Sequence, residues 1–292
     1  ISVVSNIITF LLNVIFNAIF IFGLLGAPAL GIKGAAIGTL IARIAEFCVL
    51  TVYALWIDKR LCFRIRDLLT GNKTLLRDFL HYSLPVALNE LMWALGTSIQ
   101  AMIFGRIGET AVAANSIAGV VQQLATITIF GIANAAAVMV GKSVGAGDIH
   151  RTKQSAFTLT MVSIVIGLCS ATLIFLVRNT VVDFYNVSAE AKELAREMLV
   201  VTAIIVFFIS LSALFIVGVL RGAGDSRFNL AVDISTLWLI SVPLGIVAGL
   251  LLKLPVPLVY LFFKLDEPAK VICCLFRFKS GRWIKNVTRE EV

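Results

Sequence analysis

Four polar residues punctuate the apolar stretch HYSLPVALNELMWALGTSIQ at positions 81–100: Glu90, Trp93, Thr97 and Gln100. Their spacings of 3, 4 and 3 residues put a carboxylate, an aromatic ring, a hydroxyl and an amide along one face of a helix. Asn89 adds a second amide next to the carboxylate. Such a face suits a wet cavity and is poorly matched to lipid. Ionisable groups at bilayer depth cost roughly 2.5 to 3.5 kcal/mol on insertion scales, so each is a functional candidate. A buried carboxylate at Glu90 could take up H⁺ or Na⁺ and answer a cationic ligand. The competing reading is a neutralised carboxyl bonded to a neighbouring helix. Pro85, a little over one turn earlier, withholds a backbone donor and marks a place to bend.

Other polar groups repeat the pattern more weakly. Asn6, Asn13 and Asn17 share one face of the first apolar stretch, and Asn115, Gln122 and Thr126 share a face of another. Either set could meet a substrate in a cavity, and either could serve helix–helix hydrogen bonding, at about 0.6 kcal/mol per bond. Asp233, followed by Trp238 and Pro243, is a secondary candidate. Arg43 with Glu46 and Lys264 with Glu267 are pairs at i, i+3, able to neutralise each other within a helix. No HExxH, GxSxG or paired histidine ligands occur, and the GKS at 141–143 lacks both the first glycine and the preceding strand of a phosphate loop. The cysteines, Cys48, Cys62, Cys169, Cys273 and Cys274, form neither a disulfide framework nor a CxxC site. The residues therefore imply no enzyme, no metal and no cofactor beyond a coupling ion.

What must position these side chains is a membrane. Of 292 residues, 59% are apolar and 14% charged, with a mean hydropathy of +0.98. Apolar runs of about 20 residues, the length that spans a bilayer core, recur with short polar breaks. Runs such as TAIIVFFISLSALFIVGVL are apolar on every side, which excludes the alternating strands of a barrel and leaves helices. The expected fold is all-α and polytopic, with eight transmembrane helices near 3–22, 34–56, 84–104, 112–141, 155–177, 197–219, 230–251 and 256–275. The last is the most interrupted by charge, holding Lys264, Asp266, Glu267 and Lys270.

Basic residues set the orientation, because Lys and Arg accumulate in cytoplasmic loops. The loops after the second, fourth, sixth and eighth spans hold 16 of them and the opposite loops at most 6. The net charge of +8 is thus a signal of topology and lipid headgroups, with no nucleic-acid partner needed. Two stretches, GAGDIHRTK from Gly145 and GAGDSRF from Gly222, then fall on the cytoplasmic side. Each follows a span, where glycine can take the left-handed conformation that closes a helix, leaving Asp148 and Asp225 to bond local backbone or a nearby arginine.

The polar segment 58–82 divides the chain into residues 1–57, two spans ending one lobe, and 83–276, six spans, followed by a cytoplasmic tail at 277–292. A shift of 221 residues lays Arg43 and Glu46 on Lys264 and Glu267, a faint echo of a two-lobe repeat. The chain opens at Ile1 within an apolar run, without Met or a signal peptide, and reads as a fragment lacking its N-terminal part.

Taken together, LNVIFNAIFIFGLLGAPALGIKGAAIGT, SLPVALNELMWALG, AVAANSIAGVVQQLATITIFGIANAAAVMVGKSVGAGD and LRGAGDSRFN closely resemble the multidrug and toxic compound extrusion (MATE) family. The resemblance covers essentially the whole chain. It implies two six-helix lobes facing a central cavity, of which this chain supplies helices five to twelve. It also implies secondary active export of organic cations or drugs in exchange for H⁺ or Na⁺, by a protein that is monomeric when whole and multi-pass in a plasma membrane, such as the bacterial inner membrane. Glu90 lies in the helix where members often carry an essential glutamate, although its distance from Pro85 varies across the family. Asn89, Trp93, Thr97, Gln100, Asn115, Gln122, Asn13 and Asn17 are then candidates for the substrate cavity. A lipid-linked oligosaccharide flippase of the same broad fold, expected to present cations to its cavity, and a non-transporting membrane scaffold are the alternatives.

Overall fold

The structure is a computed structural model that describes residues 2–26, 28–57 and 73–284. The chain divides into two compact units, Ile1–Leu76 and Arg77–Val292.

In the first unit, α1 (Ser2–Phe22) packs against α2 (Ile32–Val52), which runs on into a π-helical turn at Tyr53–Ile57. Small residues permit the close approach: a Cβ added at Gly34 would lie 2.2 Å from the carbonyl oxygen of Phe20, the small-residue packing expected where lipid supplies no hydrophobic drive between helices. Asn17 Nδ2 donates to Asn13 Oδ1 at 2.9 Å, and Asn13 Nδ2 donates to Thr39 Oγ1 at 3.3 Å. The amides of α1 thus tie it to α2. Arg43 and Glu46 pair within α2 at 2.7 Å, as their spacing predicts.

The second unit contains α3 (Lys73–Ile107, its first turn in the first unit), α4 (Glu109–Gly145), α5 (Ile149–Asp183) and α6 (Ala189–Ala213), which widens to π-type pairing over Leu214–Leu220. Then come α7 (Ser226–Thr236), α8 (Val242–Ile246), α9 (Val256–Phe263) and α10 (Asp266–Lys279). The π-helical turn Leu237–Ser241 joins α7 to α8 and a second, Val247–Leu251, continues α8, making one rod that ends before α9.

Helix α6 is the axis of this unit. Two-thirds of its apolar window is buried, against 17% for α5, so α5 keeps Leu173 and Leu176 exposed as a lipid-facing surface would. One core gathers Phe104, Met198, Leu199, Val206, Tyr260 and Phe263; a second gathers Val140, Phe215, Leu220 and Trp283. Between α5 and α6, Ser163 and Ser210 each donate to the other's carbonyl at 2.8 Å. This reciprocal pair satisfies two hydroxyls that have no water to turn to.

Among the described residues, helices stand at all eight expected spans, and six of the helical rods are both long and apolar enough to cross a bilayer. The third expected span is now α3, a single helix from Lys73 through Pro85 to Ile107, so helix begins well before residue 83; positions 58–72 lie outside the described residues. The eighth span differs from expectation. It is broken at Lys264–Leu265, and Pro268 is the reason: it has no N–H to donate to the Lys264 carbonyl, and its ring would strike that carbonyl in a continuous helix. The Ser241 hydroxyl bonds the Phe263 carbonyl at the break.

Both GAGD stretches close helices as expected. Gly147 and Gly224 have φ of 73° and 81°. In each turn the glycine N–H and the following Asp N–H bond back to carbonyls of the last helical turn: Gly147 to Val144 and Asp148 to Ser143, Gly224 to Arg221 and Asp225 to Leu220.

Candidate functional site

A cavity of about 440 Å³ opens between α3, α4, α6, α7 and α10 of the second unit. Asn89, Glu90 and Trp93 bring α3 to it, Gln122, Gln123 and Thr126 bring α4, and Ser212 and Arg221 come from α6 and its continuation. Asp233 of α7 and Glu267 and Lys270 of α10 complete the polar lining.

The wall nearest α10 carries a buried ionic cluster. The Lys270 ammonium pairs with Asp266 Oδ2 at 2.7 Å and Asp233 Oδ1 at 2.9 Å, and donates to Glu267 Oε1 at 3.2 Å. Side-chain exposures are 5% for Lys270, 8% for Asp266, 14% for Asp233 and 16% for Glu267. Asn89 Nδ2 donates to Asp233 Oδ2 at 2.8 Å, and Ser212 Oγ donates to Glu267 Oε2. Helices α3, α6, α7 and α10 therefore meet in one polar knot. Its local cause is sequence spacing: Asp266 and Glu267 stand one turn before Lys270 on α10, which begins after the break at Lys264–Leu265, so the three share a face of that helix.

Glu90 occupies a different environment. Its carboxylate is 62% exposed and pairs with Arg221 at 3.3 Å. The burial expected of Glu90 belongs instead to Asp233, Asp266 and Glu267. The expected Lys264–Glu267 pairing gives way as well: Glu267 binds Lys270 and Ser212, while Lys264 Nζ lies 5.4 Å from the Tyr260 ring centroid, in cation–π range.

The remaining candidates divide by position. Gln122 lines the cavity, and its Oε1 accepts from the Tyr260 hydroxyl at 3.1 Å, which itself lies 3.2 Å from the Thr202 hydroxyl. Thr97 bonds the Ala94 carbonyl at 2.9 Å and, like Gln100 and Asn115, stands outside the lining. Asn13 and Asn17 belong to the first unit and link α1 to α2. The cavity thus keeps Asn89, Glu90, Trp93, Gln122 and Asp233 together and adds Lys270, Glu267, Ser212 and Arg221, none of them expected as ligands from the polar faces; Asp266 joins through its ion pair with Lys270. Asp266 and Glu267, four and three residues before Lys270, were the signal available for the cluster.

Known proteins agree with this fold. The profile of the MatE family matches residues 85–247, more than half of the chain. The chain is a polytopic, all-helical membrane protein, and it belongs to the MatE family. It is similar to the multidrug resistance protein MdtK of Photorhabdus laumondii, at 27% identity over 85% of this chain and 54% of that one. It is also similar to a probable multidrug resistance protein NorM of Thermotoga maritima, at 24% identity over 98% of this chain and 61% of that one. Among solved structures it resembles a MOP superfamily transporter from Pyrococcus furiosus, described as having a binding pocket of reverse polarity, with a TM-score of 0.81 at 19% identity over 96% of this chain and 61% of that one. An outward-facing multidrug resistance MATE family transporter matches with a TM-score of 0.79 at the same identity and shares of the two chains. The chain spans about half to three-fifths of the length of the curated relatives named here.

Proposed function

We propose that the protein containing this chain is a secondary active antiporter that exports small organic cations or drugs in exchange for H⁺ or Na⁺, acting as a monomer in a plasma membrane. The observation that carries the reading is the charge of the cavity: three carboxylates, Glu90, Asp233 and Glu267, against two bases, Arg221 and Lys270. Each base is held by an acid, so the surplus is negative and suits a cation. Trp93, with its ring partly exposed at the cavity, offers a face for cation–π contact. The names of the relatives, multidrug resistance proteins, agree with this substrate class. A flippase for anionic lipid-linked sugars fits less well, because neither cavity base is left without a carboxylate partner.

Energetically, one H⁺ moving through 100 mV supplies about 2.3 kcal/mol, and one pH unit adds about 1.4 kcal/mol. A monovalent cation exchanged one for one against H⁺ draws only on the pH difference, about tenfold per unit. In the intact protein, Glu90→Gln is expected to abolish ethidium efflux from energised vesicles while the protein still reaches the membrane at the wild-type level. Efflux at the wild-type rate in that variant would remove Glu90 from the mechanism.

A further inference from the structure

The ionic cluster on α10 has one feature that a simple cation site would not have: it already holds a cation, and that cation is covalently part of the chain. Lys270 is in ion-pair contact with all three carboxylates, Asp266, Asp233 and Glu267, at 2.7–3.2 Å. The convergence point of three carboxylates is therefore filled. The other groups facing it are Asn89 from α3 and Ser212 from α6, both donating to it, with Cys273 and Cys274 further along α10. None of these is a second base.

Counting formal charges, three carboxylates and one ammonium leave two negative charges in a site whose side chains are 5–16% exposed. A net charge of two minus in a poorly hydrated site calls for a compensating positive charge. Two agents could compensate. A sodium ion needs a shell of several oxygens, and Lys270, Asn89 and Ser212 already hold five of the cluster's six carboxylate oxygens; it would also sit in like-charge contact with the ammonium. A proton needs only one carboxylate oxygen and no added volume: a carboxylate gains H⁺ to become a carboxyl, with no other bond made or broken.

We infer that Lys270 is the resident cation of the Asp233–Asp266–Glu267 cluster and selects its coupling ion, so that the cluster exchanges protons and excludes Na⁺. The inference rests on the antiport reading only in the word coupling; exclusion of Na⁺ is a property of the site itself. It assigns Lys270 as a specificity-determining residue that works by occupying a position, without touching the substrate.

The test uses the intact protein, purified in detergent and titrated with NaCl against choline chloride at fixed ionic strength and pH 8, with calorimetric heat and thermal midpoint as readouts. Wild type is expected to give no saturable Na⁺ heat and the same midpoint in both salts. Lys270→Ala is expected to gain saturable Na⁺ binding and a Na⁺-dependent rise in midpoint, both abolished by adding Asp266→Asn. Saturable Na⁺ binding by wild type that Asp266→Asn removes would overturn the inference, as would a folded, monodisperse Lys270→Ala that ignores Na⁺. If Lys270→Ala does not fold, Lys270→Gln, which removes the charge and keeps most of the side-chain length, is read in the same way. Because no transport is measured, failure to move ethidium would count against the antiporter and leave this result standing.

Discussion

Two ion pairs line the same cavity and differ in almost every physical respect. Glu90–Arg221 joins an exposed carboxylate to a partly exposed guanidinium at 3.3 Å, with water free to replace either partner. Lys270 with Asp233, Asp266 and Glu267 is largely buried in the cavity wall, and amide and hydroxyl groups from two further helices complete it. The first can open and close at little cost; the second cannot lose a member without leaving a charge stranded. The first pair leaves its partners exchangeable, and the second ties four helices together.

That contrast can be broken in stages. Lys270→Met, which deletes the central charge, is expected to cost about 3–5 kcal/mol, the range for stranding one side of a buried pair, read as the largest drop in thermal midpoint in Na⁺-free detergent solution. Asn89→Ala removes a buried donor to a charged acceptor and should cost about 1.5–3 kcal/mol in the same assay. Ser163→Ala, away from the cavity, deletes bonds worth about 0.6 kcal/mol each and should lower the midpoint only slightly. Glu90→Gln should change stability by less than about 1 kcal/mol, as exposed pairs do, even though it is the variant expected to stop efflux. A large stability loss in Glu90→Gln, or none in Lys270→Met, would erase the distinction between the two pairs.

Much of this could be read from residues alone. The helices follow from apolar runs that no strand pattern fits, and the two GAGD turns from glycine at the ends of spans. Glu90, Asn89, Trp93, Gln122 and Asp233 were visible as polar interruptions, and the cavity gathers all five. The misplaced readings have a common physical origin. Spacing reports which side chains share a helix face, but not which helix that face meets. Thr97 and Gln100 lie further along the helix that carries Glu90 and stand outside the lining. Lys264 and Glu267 have the right spacing for a pair, yet Pro268 breaks the helix that would have aligned them. Pro268 was there to be read; the partnership of Lys270 with Asp233, from another helix, was not.

The twin turns show the same limit. Asp148 caps α5 locally, accepting from the Arg151 N–H at 2.9 Å. Asp225, in the identical tetrapeptide, is 1% exposed and accepts from both Nε and a terminal nitrogen of Arg277, at 2.8 Å each. Arg277 also lies over the Phe228 ring, 4.7 Å from its centroid, and a few residues on Trp283 stacks on Phe278 with 1% exposure. For anyone cutting or fusing the chain, this moves the safe boundary. A junction placed where the last apolar run ends, near residue 276, would amputate the arginine that holds Asp225 and the indole that closes the second core, so a reporter or affinity handle belongs no earlier than after Ile284.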